Sequence, residues 1–200
     1  MGIDVSDLRE LIIKPYLQVL GEYSQTAENL LLGTAAQESR LGLRCYCAVT
    51  KGLGLYRMTA EKHQELWDTY LVQSPDLASQ QRGLASQQQF LKNPHSELMS
   101  NLNYATGMAW MIYRRAGIDT SSTLETSVLA QIWASLFDNG TGSPRNSDEF
   151  VQTYRQLVTG NVNKLNGLSN PVSTFIDRMK RPKQIATSIY LKVLHASNLP

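Results

Sequence analysis

Apolar residues recur along the chain at the three- and four-residue spacing that places them on one face of an α-helix. The first such stretch contains Leu8, Leu11, Ile12, Tyr16, Val19 and Leu20. Pro15 lies inside this stretch and lacks a backbone N–H, so we expect a kink or a break there. A second helix begins near Ser24 or Thr26, which are good N-cap residues, and ends by Gly42. Its inner stripe consists of Ala27, Leu30, Leu31, Thr34, Ala35 and Glu38.

Later helix starts are marked by residues that cap N-termini, namely Thr59, Ser74, Ser96, Ser122 and Ser147. Pro75 follows the second of these caps and suits the first helical position. Glu125 lies three residues after Ser122, as in a capping box. The sequence Leu-Ala-Ser-Gln-Gln at 77–81 recurs at 84–88, which indicates one Gln-rich, solvated helix. Gly117 ends the helix that begins at Ser96.

The intervening segments 42–58 and 137–144 are rich in turn residues, and no pair of strands is evident. We therefore expect an all-α fold, with one domain of about eight helices over residues 1–160. Residues 161–170 have the Asn-, Gly- and Ser-rich composition of a linker. Residues 171–200 predict a C-terminal extension of two short helices separated at Pro182.

Composition excludes several classes of protein. The 200 residues are 42% hydrophobic and 18% charged, which is too apolar and too weakly charged for a disordered chain. No apolar run approaches the roughly 20 residues of a membrane-spanning helix. The N-terminal residues lack the basic and apolar regions of a secretory signal, so we expect synthesis in the cytoplasm. The net charge of +2 argues against a nucleic-acid binder that depends on total charge.

Cysteine and histidine residues do not have the spacing of a metal site. Cys45 and Cys47 are too close to form a useful disulfide loop, so we expect two reduced thiols. The three histidines are scattered, and His63 is expected to be an ordinary surface residue. The tryptophans at 67, 110 and 133 have apolar neighbours at helical spacing, which indicates core packing. The sequence lacks a nucleophile elbow, a phosphate-binding loop and a dinucleotide fingerprint.

Glu38 is the exceptional residue of the second helix, because a carboxyl group occupies the apolar stripe near the helix C-terminus. Apolar surroundings and the negative end of the helix dipole both favour the protonated acid. A protonated carboxyl group is what cleavage of a glycosidic bond requires, since it protonates the leaving oxygen. The alternative is a helix-end glutamate paired with Arg40 or Arg44.

Three segments resemble, in order, the motifs of the lysozyme-like lytic transglycosylases and their phage relatives. Residues 35–42, Ala-Ala-Gln-Glu-Ser-Arg-Leu-Gly, are similar to the Glu-Ser motif of this family. Residues 52–58, Gly-Leu-Gly-Leu-Tyr-Arg-Met, resemble its Gly-x-Met-Gln-Ile segment. Residues 133–142, Trp-Ala-Ser-Leu-Phe-Asp-Asn-Gly-Thr-Gly, resemble its Tyr-Asn-x-Gly loop. The resemblance covers residues 25–145.

The resemblance implies a lysozyme-like helical fold that cleaves the β-1,4 bond of peptidoglycan without metal or cofactor. Glu38 would act as acid and then as base, while the 6-hydroxyl of the sugar attacks. Ser39 would orient Glu38, and Asn139 would hold the substrate or intermediate near it. The implied sugar-binding residues of the middle segment are Gly54, Tyr56, Arg57 and Met58.

The sequence departs from the family pattern at two places. Arg57 replaces the family glutamine, and a cation beside the acid would favour the carboxylate. Phe137 precedes Asp138 and Asn139, so a tyrosine hydroxyl is lost. Asp138 is a candidate second carboxylate that activates water, as an inverting hydrolase requires. Glu61, Glu65 and Asp68 are further candidates for that role, although a solvated helix face also explains them.

Two functions follow as hypotheses. The first is a phage-type enzyme that cleaves glycan strands, carried in the virion or released at lysis. The second is a virion structural protein (tail, connector or baseplate) that keeps the fold with a weak or inactive site. Residues 171–200 carry a basic cluster that suits another virion protein or an anionic polymer. We do not expect nucleic-acid binding, which rests on this cluster alone.

Overall fold

Helices make up nearly all the regular structure, which confirms the all-α prediction. A computed structural model describes residues 2–160, and the predicted linker and extension at 161–200 lie outside this range. The first helix, α1, has three contiguous parts, which are Val5–Asp7, the π-helical Leu8–Ile13 and Lys14–Val19. The others are α2 (Gln25–Ser39), α3 (Ala60–Thr69), α4 (Pro75–Leu84), α5 (Gln87–Lys92), α6 (Glu97–Ser100), α7 (Leu102–Arg115), α8 (Thr126–Leu136) and α9 (Ser147–Thr153).

Short helical turns complete these elements. The 3₁₀ turns are Leu71–Gln73 and Pro94–Ser96, and the π-helical turn Tyr154–Thr159 continues α9. Within residues 2–160 there is no β-strand, only isolated antiparallel bridges that join Leu53 to Tyr46 and to Met58. Among residues 2–160, no helix combines the length and the hydropathy that a membrane span needs.

Three of the predicted helix starts are confirmed. The Ser24 hydroxyl accepts a hydrogen bond from the Ala27 N–H at the start of α2, at 3.0 Å. The Thr59 hydroxyl does the same for the Lys62 N–H at the start of α3. Pro75 is the first residue of α4. Each start depends on chemistry within one helical turn, which explains why the sequence alone identified it.

Of the kink or break expected at Pro15, the break does not occur. The helix continues to Val19, and a π-helical segment immediately precedes the proline. Within this segment the Lys14 N–H donates to the carbonyl of Arg9, five residues back. A π-helical turn changes the hydrogen-bond register, which lets the chain pass a residue that has no N–H to donate.

Two other predictions for helix boundaries are wrong. Asn101 interrupts the helix predicted from Ser96, since its side chain caps α7 by accepting from the Tyr104 N–H. Ser86 likewise begins α5, so the repeated pentapeptide spans two helices instead of one. Asparagine and serine bond backbone groups readily, and here these local bonds prevail over the continuous pattern.

The predicted capping box before α8 is also absent. Glu125 is the N-cap residue of α8 but makes no side-chain capping bond. The Ser122 carbonyl instead accepts a hydrogen bond from the Thr26 hydroxyl, at 2.5 Å. A tertiary contact therefore fixes this loop against the start of α2.

The helices α2 and α7 form the centre of the core. Residues 30–36 of α2 and 104–113 of α7 are buried without interruption, so both helices are enclosed on all sides. Gly33 permits the close approach of α9, because a Cβ atom there would lie 2.3 Å from the Phe150 ring. Trp110 and Trp133 are each 3% exposed, which confirms their core position, and Trp67 packs against the core from its edge. Glu38 thus lies at the end of a central helix.

Candidate active site

Glu38 belongs to the last turn of α2, immediately before Ser39 ends the helix. The side chain of Glu38 is 11% exposed, so the carboxylate lies at the boundary between core and solvent. Arg40 then adopts a left-handed conformation, with φ of 53°, and turns the chain away. Neither Arg40 nor Arg44 pairs with Glu38 in the described residues, so the predicted alternative of a local ion pair does not form.

Three N–H donors surround the Glu38 carboxylate. The Asn139 amide donates to Oε2 at 3.0 Å, and the Trp133 indole donates to Oε1 at 3.1 Å. The Arg145 guanidinium also donates to Oε1, at 2.7 Å, and forms an ion pair with the carboxylate. The donors come from α8 and from the loop that follows it, about a hundred residues away in sequence.

Asn139 joins the three sequence motifs at one point. Its side chain is fully buried, and its amide N–H donates both to Glu38 and to the Tyr56 carbonyl, the latter at 3.2 Å. Its side-chain oxygen accepts from the Thr141 hydroxyl at 2.8 Å and from Arg145 at 2.9 Å. A residue predicted from the last motif therefore contacts residues predicted from the first two.

The middle motif forms a tight turn under the site. Gly54 has φ of +72°, and a Cβ atom there would lie 1.7 Å from the Leu98 carbonyl oxygen, so only glycine fits. The backbones of Leu53 and Met58 exchange two hydrogen bonds, at 2.9 and 3.1 Å. This turn holds the Tyr56 carbonyl toward Asn139.

The side chains of this motif do not reach the site. Tyr56 and Met58 are each 1% exposed, and the Tyr56 hydroxyl hydrogen-bonds the Thr106 hydroxyl at 3.2 Å. Burial raises the pKa of Tyr56 well above its usual value. The turn thus contributes the Tyr56 carbonyl to the cluster, whereas the sequence suggested that the ring itself contacts sugar.

Ser39 contacts the helix end instead of the Glu38 carboxylate. Its hydroxyl donates to the Ala35 carbonyl at 3.2 Å and accepts from the Gly42 N–H at 2.8 Å. The residue is completely buried. Ser39 therefore closes the C-terminus of α2 and positions Glu38 only through the backbone.

The cation at Glu38 is Arg145 and not Arg57, which the sequence suggested. Arg57 makes no hydrogen bond or ion pair with Glu38 in the described residues, and its Nε is buried without a partner. Arg145 follows Asn139 by six residues in the same loop. Its position in a Gly- and Ser-rich loop beside a predicted site residue was the one signal available.

Arg145 is fixed on several sides. One Nη donates to Glu38 and the other to the Asn139 side-chain oxygen. The guanidinium also lies 4.9 Å from the centre of the Trp133 ring and 5.4 Å from that of Phe137, as in cation–π contacts. The side chain of Arg145 is 14% exposed. The ion pair thus supplies the counter-ion of Glu38 from the loop after α8.

Asp138, the candidate second carboxylate, points away into solvent. Its side chain is 66% exposed and pairs with the Lys62 ammonium at 2.8 Å. The hydrogen bond from Lys62 holds the pKa of Asp138 below its usual value. Glu61 and Asp68 are exposed on α3, and Glu65 pairs with Lys62 and Arg115. These three residues belong to a solvated helix face.

His63 is not a surface residue, contrary to prediction. It is 1% exposed and lies between His95, Trp67 and Tyr104. The prediction was wrong because α7 and the turn at Pro94–Ser96 cover this face of α3, and neither contact follows from the local sequence.

No cluster of three or more His, Cys, Asp or Glu side chains in residues 2–160 is arranged to hold a metal ion. Cys45 and Cys47 are free thiols, each partly buried. Comparison with known proteins found no matching family model, no matching curated protein and no matching solved structure.

Proposed function

We propose that this chain cleaves the β-1,4 glycosidic bond of peptidoglycan, with Glu38 as general acid and then general base. The observation that supports this most is the Asn139 amide, which bonds both the Glu38 carboxylate and the Tyr56 carbonyl. Three motifs singled out for one chemistry thus share a single hydrogen-bonded cluster. The same cluster leaves the Glu38 side chain partly open to solvent, as an acid that must meet a substrate requires.

In this reaction protonated Glu38 gives its proton to the leaving glycosidic oxygen. The resulting carboxylate then takes the proton of the attacking 6-hydroxyl, so one carboxyl group serves both steps. Glu38 is the single carboxylate in the cluster around Asn139 among residues 2–160, and Asp138 is engaged with Lys62. This favours a transglycosylase over an inverting hydrolase, which needs a second carboxylate.

One contact favours the alternative function, a virion structural protein with an inactive site. The ion pair with Arg145 stabilises the carboxylate and so opposes its service as an acid. In the enzyme, Glu38 must leave Arg145 before it can carry a proton. In a purely structural protein, the same pair would simply remain closed. Contacts with other virion proteins through residues 171–200 concern a segment outside the described residues.

The test is to incubate the purified full chain with Gram-negative sacculi and to identify the released muropeptides by mass. We expect anhydro products from the natural chain and a loss of at least about 100-fold in Glu38→Gln. The matched control is Glu61→Gln on the exposed face of α3, which is expected to keep full activity. Reducing-end products would instead indicate a hydrolase and direct attention to Asp138. Intact sacculi with folded natural protein would favour the structural alternative.

A further inference from the structure

The guanidinium of Arg145 has more N–H groups than its two hydrogen bonds within residues 2–160 use. An arginine carries five N–H groups, and Arg145 uses one on Glu38 and one on Asn139. The other three have no hydrogen-bond partner among residues 2–160. The side chain of Arg145 is 14% exposed, so part of it reaches solvent at the edge of the site. A group with this geometry is well suited to bind a carboxylate.

The positive charge of Arg145 needs a partner when Glu38 is protonated, and the unused N–H groups could bind one. Within the described residues, Glu38 is the acidic group that forms an ion pair with Arg145, and Asp138 acts on Arg145 without pairing with it. When Glu38 takes up a proton to act as an acid, Arg145 loses its counter-ion in a site that is mostly buried. An unpaired cation in such a site is costly, so the protonated state requires a replacement anion. The unused donors show where that anion can bind.

We propose that Arg145 forms a binding subsite for a carboxylate carried on the muramic acid unit of the substrate. This inference rests on the proposed function and adds a substrate requirement to it. The substrate carboxylate replaces Glu38 as the partner of Arg145, and Glu38 takes a proton from solvent. A strand that bears such a carboxylate thereby converts Glu38 into the acid, whereas a neutral strand does not.

The surroundings of Arg145 allow this exchange without moving the guanidinium far. Trp133 and Phe137 lie along its faces, and the Asn139 oxygen holds one Nη in place. Asp138 and Tyr113 also interact electrostatically with this pair. Asp138 acts on Arg145 but forms its ion pair with Lys62, and the Tyr113 hydroxyl shares a hydrogen bond with the Thr34 hydroxyl at 2.7 Å. Burial raises the pKa of Tyr113 well above its usual value, so its hydroxyl stays neutral during the exchange.

The carboxylate has two chemical sources, which three ligands distinguish. N-acetylmuramic acid carries a free lactyl carboxylate. N-acetylmuramyl-L-alanyl-D-isoglutamine has an amidated lactyl group and a free carboxylate on its peptide. N-acetylglucosamine is the neutral control. Binding of each to the natural chain, Glu38→Gln and Arg145→Gln is measured by NMR titration of the full chain.

We expect Glu38→Gln to bind at least one carboxylate ligand about tenfold more tightly than the natural chain, because Arg145 is then unpaired. N-acetylglucosamine should bind Glu38→Gln and the natural chain with the same affinity. Arg145→Gln should bind the acids no better than the neutral sugar, and Arg145→Lys, which keeps the charge without the fork, should be intermediate. Which acid responds identifies the lactyl or the peptide source. The subsite would be overturned if Glu38→Gln bound the neutral sugar with the same increase in affinity as the acids. It would also be overturned if Glu38→Gln bound neither acid more tightly than the natural chain does. Both outcomes can be read even if Arg145→Gln fails to fold.

These binding measurements do not depend on cleavage. If sacculi stay intact but Glu38→Gln gains affinity for the acids, the proposed reaction fails and the subsite stands. If cleavage depends on Glu38 but the Glu38→Gln titrations show no preference for the acids, the subsite alone fails.

Discussion

Among residues 2–160, the clusters around Glu38 and His63 both bury polar side chains, and they satisfy them by different means. The cluster around Glu38 contains a full ion pair, with side chains 11% and 14% exposed, and it connects α2 to the loop after α8. The cluster around His63 lies between α3, α7 and the turn at Pro94–Ser96, and it holds together without an ion pair. His63 itself is 1% exposed.

In the cluster around His63, the hydrogen bonds join the polar atoms of histidine, tyrosine and tryptophan side chains. The Nδ1 atoms of His63 and His95 lie 2.9 Å apart, and the other ring nitrogen of His63 lies 2.5 Å from the Tyr104 hydroxyl. The Trp67 indole donates to that hydroxyl at 2.9 Å. In this arrangement a neutral His63 can donate through one nitrogen and accept through the other, while an imidazolium would have two donors.

The difference separates a site that can exchange partners from one that cannot. Arg145 has unused donors and a side chain partly open to solvent, and in the subsite proposed above an anion from outside replaces Glu38. His63 is enclosed, and burial disfavours its charged form, so a proton there destabilises the cluster. The first arrangement suits chemistry on a ligand, and the second stabilises the junction of α3 and α7.

The largest expected effect follows from acid acting on the His63 cluster. Burial, and to a smaller extent His95, lower the pKa of His63 from 6.5 to about 4. As the pH falls, the unfolded chain takes up this proton first, so stability is lost between pH 6.5 and 4. The loss attributable to His63 should reach about 3 kcal/mol by pH 4. Urea unfolding of the natural chain and of His63→Gln at several pH values across this range measures the loss. It is the difference between the two proteins in how their free energy of unfolding changes with pH.

His63→Gln cannot take up the proton, so its stability should fall less steeply over the same interval. Other groups that titrate there contribute equally to both proteins and cancel in the comparison. Parallel curves for the two proteins would contradict the assignment and would mean that His63 accepts a proton in the folded state without cost.

The next effect concerns the ion pair. Arg145→Gln leaves the Glu38 carboxylate mostly buried without its cation, and we expect a loss of about 2 kcal/mol. This figure is below that of a fully enclosed pair because both side chains reach solvent. Urea unfolding at pH 7 measures this loss in the free energy of unfolding. The matched control is Arg155→Gln, on the exposed face of the Tyr154–Thr159 turn. Its free energy of unfolding is expected to change by less than about 0.5 kcal/mol.

A double variant tests whether the charge itself is responsible. Two amides at positions 38 and 145 leave no unpaired charge, so the Glu38→Gln, Arg145→Gln chain should be more stable than Arg145→Gln alone. A double variant that is less stable than Arg145→Gln would show that Arg145 stabilises the fold through its ring contacts and not through Glu38.

The sequence was sufficient for the all-α fold and for features set within a helical turn. Ser24, Thr59 and Pro75 begin helices by local chemistry, and the structure confirms each. The break considered at Pro15 and the continuous helix predicted across Asn101 were wrong for opposite reasons. A π-helical turn accommodates the proline, while the asparagine side chain interrupts a pattern that looked continuous.

The site was predictable as far as its motifs extend. Glu38 and Asn139 were identified from separate segments, and the structure brings them together. Arg145 was missed because its partner is 107 residues away and its role depends on where the loop returns to α2. His63 was misjudged for the same reason, since long-range packing and not spacing determines its burial.

The smallest expected loss of stability comes from removing one neutral hydrogen-bonding group of the His63 cluster, and it can be compared with the loss of the Arg145 charge. Tyr104→Phe removes the hydroxyl that accepts from Trp67 and bonds His63, but leaves no charge unpaired. The Trp67 indole already lies 3.2 Å from the same His63 nitrogen and can bond it instead, so we expect a loss of only about 1 kcal/mol. Urea unfolding at pH 7 measures this, and Tyr46→Phe, at a ring 58% exposed, is the control expected to change little. A loss as large as that of Arg145→Gln would mean that a neutral cluster depends on each partner as strongly as an ion pair does.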